Sequence, residues 1–101
     1  MATLLIQYNQ PVNPEAFDEY YFGTHVPIFA QTPGIRSTSF SKGPIHVLAG
    51  NPDVYLVAAV TFDSMEALQA GLASPAAQAA VADLPNFAGA GVTIVAYDTR
   101  D

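Results

Sequence analysis

Apolar residues along this chain follow two rhythms, and each change of rhythm marks an element. Leu4 to Tyr8 is a short β-prone run that stops at Asn9-Gln10-Pro11. Asn13-Pro14 reads as a helix start, since asparagine can cap free N–H groups and proline suits the first helical position. Phe17, Tyr20, Tyr21, Thr24, His25 and Ile28 then recur at helical spacing, and Gln31-Thr32-Pro33-Gly34 closes the helix. Ile35 to Phe40 reads as a second strand, with Ile45 to Leu48 as its continuation after a break at Gly43-Pro44. Val54 to Phe62 is the strongest strand signal. Asp63-Ser64-Met65-Glu66 follows as a capping box with Asp63 as the cap, opening a helix through Leu72. Ser74-Pro75 restarts an alanine-rich helix to about Asp83, ahead of Pro85, and Val92 to Tyr97 is the last strand. The order βαββαβ predicts one α+β domain over residues 1–101, a ferredoxin-like sandwich with an antiparallel sheet and helices on one face.

Two of these strands carry more apolar residues than a one-sided sheet needs. Leu4-Leu5-Ile6 and the run from Val54 to Val60 are apolar at both parities, so both sheet faces want burial. Two helices cover one face. A second copy of the chain is the simplest cover for the other, which predicts a homodimer through the open sheet face.

Charge narrows the range of partners. Net charge is −6, and Arg36, Lys42 and Arg100 are the only basic side chains. No patch can neutralise several phosphates, so nucleic acid is not an expected partner, nor is an anionic membrane surface. No apolar run reaches bilayer length, and the opening residues read as a strand, not a secretion signal, so the expected compartment is the cytoplasm. With no cysteine, thiolate chemistry and cysteine-held metals are excluded.

The chemistry concentrates around His25. Pro27 has no N–H and leaves the Gly23 carbonyl without its helical partner, so a helix defect is expected there, among aromatic rings. An imidazole in such a setting suits an apolar binding site with one acid–base group. The competing reading is a buried histidine that satisfies the freed Gly23 carbonyl. Tyr21 lies one turn before His25 and can donate to a carbonyl or phenolate; Tyr20 diverges from it by about 100° and cannot share the cavity well. Asp83 ends the second helix, where the dipole disfavours a carboxylate, which fits a pairing with His25 across the fold or a cap for the Pro85-Asn86 turn. The candidate catalytic set is therefore His25, Tyr21 and Asp83, with Tyr8, Phe29, Phe40 and Phe87 as cavity walls. His46 follows Pro44 in a loop pattern and reads as a surface residue. Two histidines without cysteine do not make a tight transition-metal site, and no metal is expected. No cofactor motif is present: Gly89-Ala90-Gly91 precedes a strand, the wrong context for a phosphate cradle. A haem held by His25 alone is the one cofactor role left open.

The combination resembles the EthD family of the dimeric α+β barrel superfamily. The matching residues are Tyr20-Tyr21, Thr24-His25-Val26-Pro27, Pro33-Gly34, Phe62-Asp63-Ser64 and Asp83-Leu84-Pro85-Asn86-Phe87, in that order along essentially the whole chain. The resemblance implies a dimeric barrel and a small hydrophobic substrate, with oxidative or proton-transfer chemistry of the cofactor-free oxygenase, isomerase or cyclase kind. It equally admits a non-catalytic binding protein that supports a partner oxidase. Where the family commonly carries a Thr-Asp pair after the Asn-aromatic step, this chain has Ala88-Gly89-Ala90-Gly91, so any role of that acidic residue is missing.

Overall fold

The computed structural model describes residues 1–100 and realises the predicted βαββαβ order. Strand β1 (Ala2–Tyr8) lies inside a four-stranded antiparallel sheet of order β2-β3-β1-β4, with β2 at Ser37–Phe40, β3 at Leu56–Phe62 and β4 at Val92–Asp98. β1 pairs with β3 from Ala2↔Phe62 to Tyr8↔Leu56, and with β4 from Ala2↔Asp98 to Tyr8↔Val92. That register puts Ala2, Leu4, Ile6 and Tyr8 on the same face as Leu56, Ala58, Val60 and Phe62, all buried against the helices.

The first helical segment comprises α1 (Pro14–Tyr20), a π turn (Tyr21–His25) and α2 (Val26–Phe29). Asn13 caps it as the sequence predicts, its Oδ1 accepting from the Ala16 N–H at 3.1 Å. The expected defect at Pro27 takes the form of the π turn, in which the Val26 N–H reaches back five residues to the Tyr21 carbonyl. Widening the turn relieves the clash between the proline ring and the carbonyl four residues earlier while keeping the chain helical. Its product is local: Tyr21 and His25, at the two ends of the π turn, are both buried, and their rings stack at 5.6 Å.

Four local expectations are corrected. The helix α3 (Met65–Leu72) is capped by Ser64, whose Oγ accepts from Ala67 N–H at 3.1 Å. Asp63 instead pairs with the exposed Arg36 at 3.1 Å. Second, β2 is confined to Ser37–Phe40, the four residues that pair with β3 from Ser37↔Thr61 to Phe40↔Ala58, with the Arg36 N–H to Thr61 O bond leading into them. Third, Ile45 to Leu48 forms no strand, since Gly43, at φ +76, turns the chain away from β3 and leaves these residues no ladder partner. Fourth, β3 starts at Leu56, because β1 ends at its partner Tyr8; Tyr55 turns its side chain toward α1 and donates its O–H to Asp18 at 2.8 Å. The helix α4 (Pro75–Asp83) starts after Ser74, whose Oγ accepts from Ala77 N–H, and runs into a 3₁₀ turn, Leu84–Asn86.

On the sheet face away from the helices stand the alternate residues, among them Thr3, Leu5, Gln7, Val57, Ala59, Thr61, Val95 and Tyr97. Val95 and Tyr97 are 47% and 44% exposed. This face is apolar at its centre and ringed by threonine and serine, as the two-sided pattern of β1 and β3 predicts. No helix is long and apolar enough to cross a membrane among the described residues.

Candidate functional site

The site begins with two helix ends brought together. The π turn delivers His25 into the core, and α4 ends opposite it at Asp83; both are nearly sealed, at 6% and 8% exposure. His25 Nδ1 stands 3.0 Å from Asp83 Oδ2. The other carboxylate oxygen accepts two further bonds, from the Tyr20 hydroxyl at 2.6 Å and from Asn86 Nδ2 at 2.9 Å. A carboxylate at a helix C-terminus opposes the dipole, and these three donors are what hold it there.

Electrostatics and geometry agree on the protonation state. Burial by itself raises the Asp83 pKa, but the Tyr20, Asn86 and His25 donors outweigh it and hold the carboxyl below its ordinary value. Burial lowers the His25 pKa, and the bond and charge of Asp83 offset this only in part, so the net shift is downward. Near neutral pH the pair is therefore carboxylate and neutral imidazole. The carboxylate can only accept, so it places the imidazole proton on Nδ1 and the lone pair on Nε2. Among the described residues Nε2 has no hydrogen-bond partner. The Gly23 carbonyl is not the partner of Nδ1, so the structural reading of this histidine does not hold in the form the sequence offered.

His25 borders an apolar cavity of about 110 Å³ between the helices and the sheet. Tyr8, Tyr21, Phe29 and Phe40 line it, together with Thr38 as its one further polar side chain. Burial pushes the Tyr21 hydroxyl up to about 12, with the neighbouring Tyr8 hydroxyl offsetting part of the rise. The Tyr8 pKa is raised further still, first by burial and then by the Tyr21 side chain. Both phenols thus stay protonated at neutral pH and are available as donors. Phe87 does not line this cavity. It packs behind, 4.5 Å from the His25 ring and against Tyr8, Phe17 and Tyr20, and fixes the imidazole plane. Asp83 also stays out of the cavity and acts on it only through His25. His46 is exposed, as expected. Among the described residues no cluster of three potential metal ligands occurs.

Two members of the constellation were missed. The divergence of Tyr20 from Tyr21, which keeps it from sharing the cavity, is what aims it at Asp83 while Tyr21 lines the cavity. Asn86 lies three residues after Asp83, a spacing that lets its amide fold back on the carboxylate. The adjacent tyrosines and the Asp-x-x-Asn spacing were the available signals.

The chain is similar to known proteins along most of its length. The EthD domain model matches residues 9–91. An 11.0 kDa protein from the thcB–thcC intergenic region of Rhodococcus erythropolis is 40% identical over 99 residues, covering 97% of this chain and 94% of that relative. A crystal structure of an EthD family protein from Bacillus halodurans superposes with a TM-score of 0.87 at 30% identity, covering 99% of each chain. SnoaB, a cofactor-independent oxygenase from Streptomyces nogalater, shares the fold with a TM-score of 0.69 at 16% identity, over 99% of this chain and 93% of its own. With a family model spanning Asn9 to Gly91, and with it both His25 and Asp83, this chain belongs to the EthD family.

Proposed function

We propose that this protein takes a small apolar molecule between helices and sheet and moves a proton on it through His25. The observation that carries the reading is the asymmetry of the imidazole: Nδ1 is pinned by a buried carboxylate, while Nε2 is left unbonded on a residue that borders an apolar cavity. In this reading Nε2 removes a proton from an acidic O–H or C–H, and Tyr21, with Tyr8 beside it, donates to the oxygen that gains charge. Asp83 stabilises the imidazolium that forms. The carbanion or phenolate so produced can react with dioxygen or rearrange, which is the cofactor-free oxygenase, isomerase or cyclase chemistry. The fold shared with a cofactor-independent oxygenase is compatible with the first of these.

The active form in this proposal is a homodimer. Leu5, Val57, Ala59 and Val95 make a flat apolar centre on the open sheet face, which a second copy of the same face would cover.

The test is a thermal-shift screen of small aromatic and ketonic compounds, followed by product analysis under air. His25→Ala should abolish turnover of any substrate found while the protein remains folded. If that variant turns the substrate over normally, the proton-transfer role is wrong; if it binds ligand and wild type never turns one over, the protein is a carrier.

A further inference from the structure

A second apolar cavity lies on the far side of His25. It has a volume of about 270 Å³ and runs below α4, from Leu72 and Ala80 to Val81 and Ile94 at the β4 edge. Ile6, Tyr8, His25 and Phe29 border both this space and the first cavity, so these four side chains form the partition between them. The two spaces open at opposite ends of the sheet: one beside Thr38 and Phe40 of β2, the other beside Ile94 of β4, the two edge strands. At the outer mouth Val81 and Ile94 are 53% and 43% exposed, large apolar side chains that water meets in the free protein.

The first cavity alone is a small site. Its 110 Å³ falls below the roughly 150 Å³ of an engineered apolar cavity that accepts benzene. A molecule larger than one ring must therefore extend either outward past Thr38 and Phe40 into water or past His25, and only the second direction buries its apolar surface. The catalytic group then stands at the middle of the ligand and not at its end. Phe29 contributes to both walls and is only half-buried, so it is the side chain best placed to yield.

From this geometry we infer that the two cavities are the arms of one site, and that the substrate is an elongated apolar molecule with its acidic C–H or O–H near the centre. One compact end sits against Tyr21 and Phe40. The longer arm lies under α4 toward Val81 and Ile94. At the centre a C–H or O–H bond breaks, its proton passes to His25 Nε2, and the electron pair stays on the substrate as an enolate or phenolate. This inference rests on the proton-transfer reading of His25 for its central step, but the two-armed shape stands or falls separately.

A pair of 1,3-diketones separates the two claims. Benzoylacetone has one ring and a central acidic CH₂, and dibenzoylmethane has a ring on each side of it. Affinity is measured by calorimetry and enolate formation by ultraviolet absorbance. Dibenzoylmethane should bind roughly tenfold or more tightly than benzoylacetone, the return for burying a second ring. Filling the outer mouth with Ile94→Trp, or independently with Val81→Trp, should cut that preference by about tenfold; both positions are exposed enough to accept the larger ring. Equal affinity of the two diketones for wild type, or a preference that neither variant changes, overturns the two-armed site. Selective, variant-sensitive binding without any enolate signal supports the site's shape and refutes the role of His25. An enolate signal from both ligands with no size preference does the reverse.

Discussion

Replacing Asp83 by asparagine changes one atom of the constellation and should reverse the polarity of Nε2, the ring nitrogen that Asp83 does not hold. In the wild type Oδ1 accepts from Tyr20 and Asn86, and Oδ2 accepts from His25 Nδ1. The amide keeps Oδ1 for its two donors, so its NH₂ takes the place of Oδ2, 3.0 Å from Nδ1. Two donors cannot face each other at that distance. Nδ1 must therefore become the acceptor, and the ring proton moves to Nε2. Nε2 then becomes a donor, although no residue lining the cavity has changed. The stability cost is small, since a charge-assisted bond gives way to a neutral one, a difference of about 1 kcal/mol for the histidine contact. The His25 pKa falls further below its ordinary value, because both influences that raise it come from Asp83. ¹⁵N-detected NMR of the imidazole distinguishes the tautomers directly, and a thermal melt reports the stability. An unchanged Nδ1–H tautomer and titration in Asp83→Asn would refute the claim that this carboxylate sets the state of His25.

Stability should fall on both sides of neutrality, and a series of denaturant melts across pH checks it. His25 titrates lower in the folded chain than its ordinary 6.5, so the unfolded chain takes up the proton first; its contribution is complete above that value and is lost as pH falls through the folded pKa. Asp83 adds a second loss of the same sign below 3.8. Tyr21 works oppositely: its contribution is complete below 10.0 and disappears as pH rises toward about 12. A flat acid limb that persists in wild type would contradict the burial of His25. Gly71→Ala should destabilise α3, because the new Cβ would meet Pro33 O at 2.9 Å and Phe62 Cε2 at 3.0 Å. Overpacking of about 1–3 kcal/mol exceeds the gain of about 1 kcal/mol in helix propensity, so the melting temperature should drop by several degrees, whereas a rise would show that the α3–β3 contact is loose. Val57→Asp, on the open face, should convert a particle of twice 10.6 kDa to a monomer in sedimentation, while the same change at Tyr55, turned toward Asp18, should act on the fold of one chain. A wild type that sediments as a monomer would end the dimer proposal.

Local rules made much of the framework legible. The continuous apolar runs of β1 and β3, the Asn13-Pro14 start and the Ser74-Pro75 restart are short-range signals, each decided by residues within a few positions of one another. The apolar double parity of β1 and β3 likewise announced an uncovered sheet face. Aromatic character alone marks Tyr8, Phe29, Phe40 and Phe87 as wall candidates; the packing decides that the first three border the cavity while Phe87 stands behind the imidazole. Boundaries that depend on a distant neighbour could not be read: β2 ends where its pairing with β3 ends, and Ile45 to Leu48 is β-prone but has no partner.

The site divides along the same line. His25 was marked by its position two residues before Pro27, and Asp83 by being a carboxylate at the wrong end of a helix. What the chain alone could not state is which oxygen of Asp83 faces which donor. That depends on α4 ending 3.0 Å from a side chain 58 positions earlier, and on Tyr20 turning to the carboxylate while Tyr21 turns to the cavity. Sequence spacing sets directions within one helix, where each residue turns by about 100°. Only the packing of two helices on one sheet sets the distance between them, and the state of the imidazole is decided by that distance.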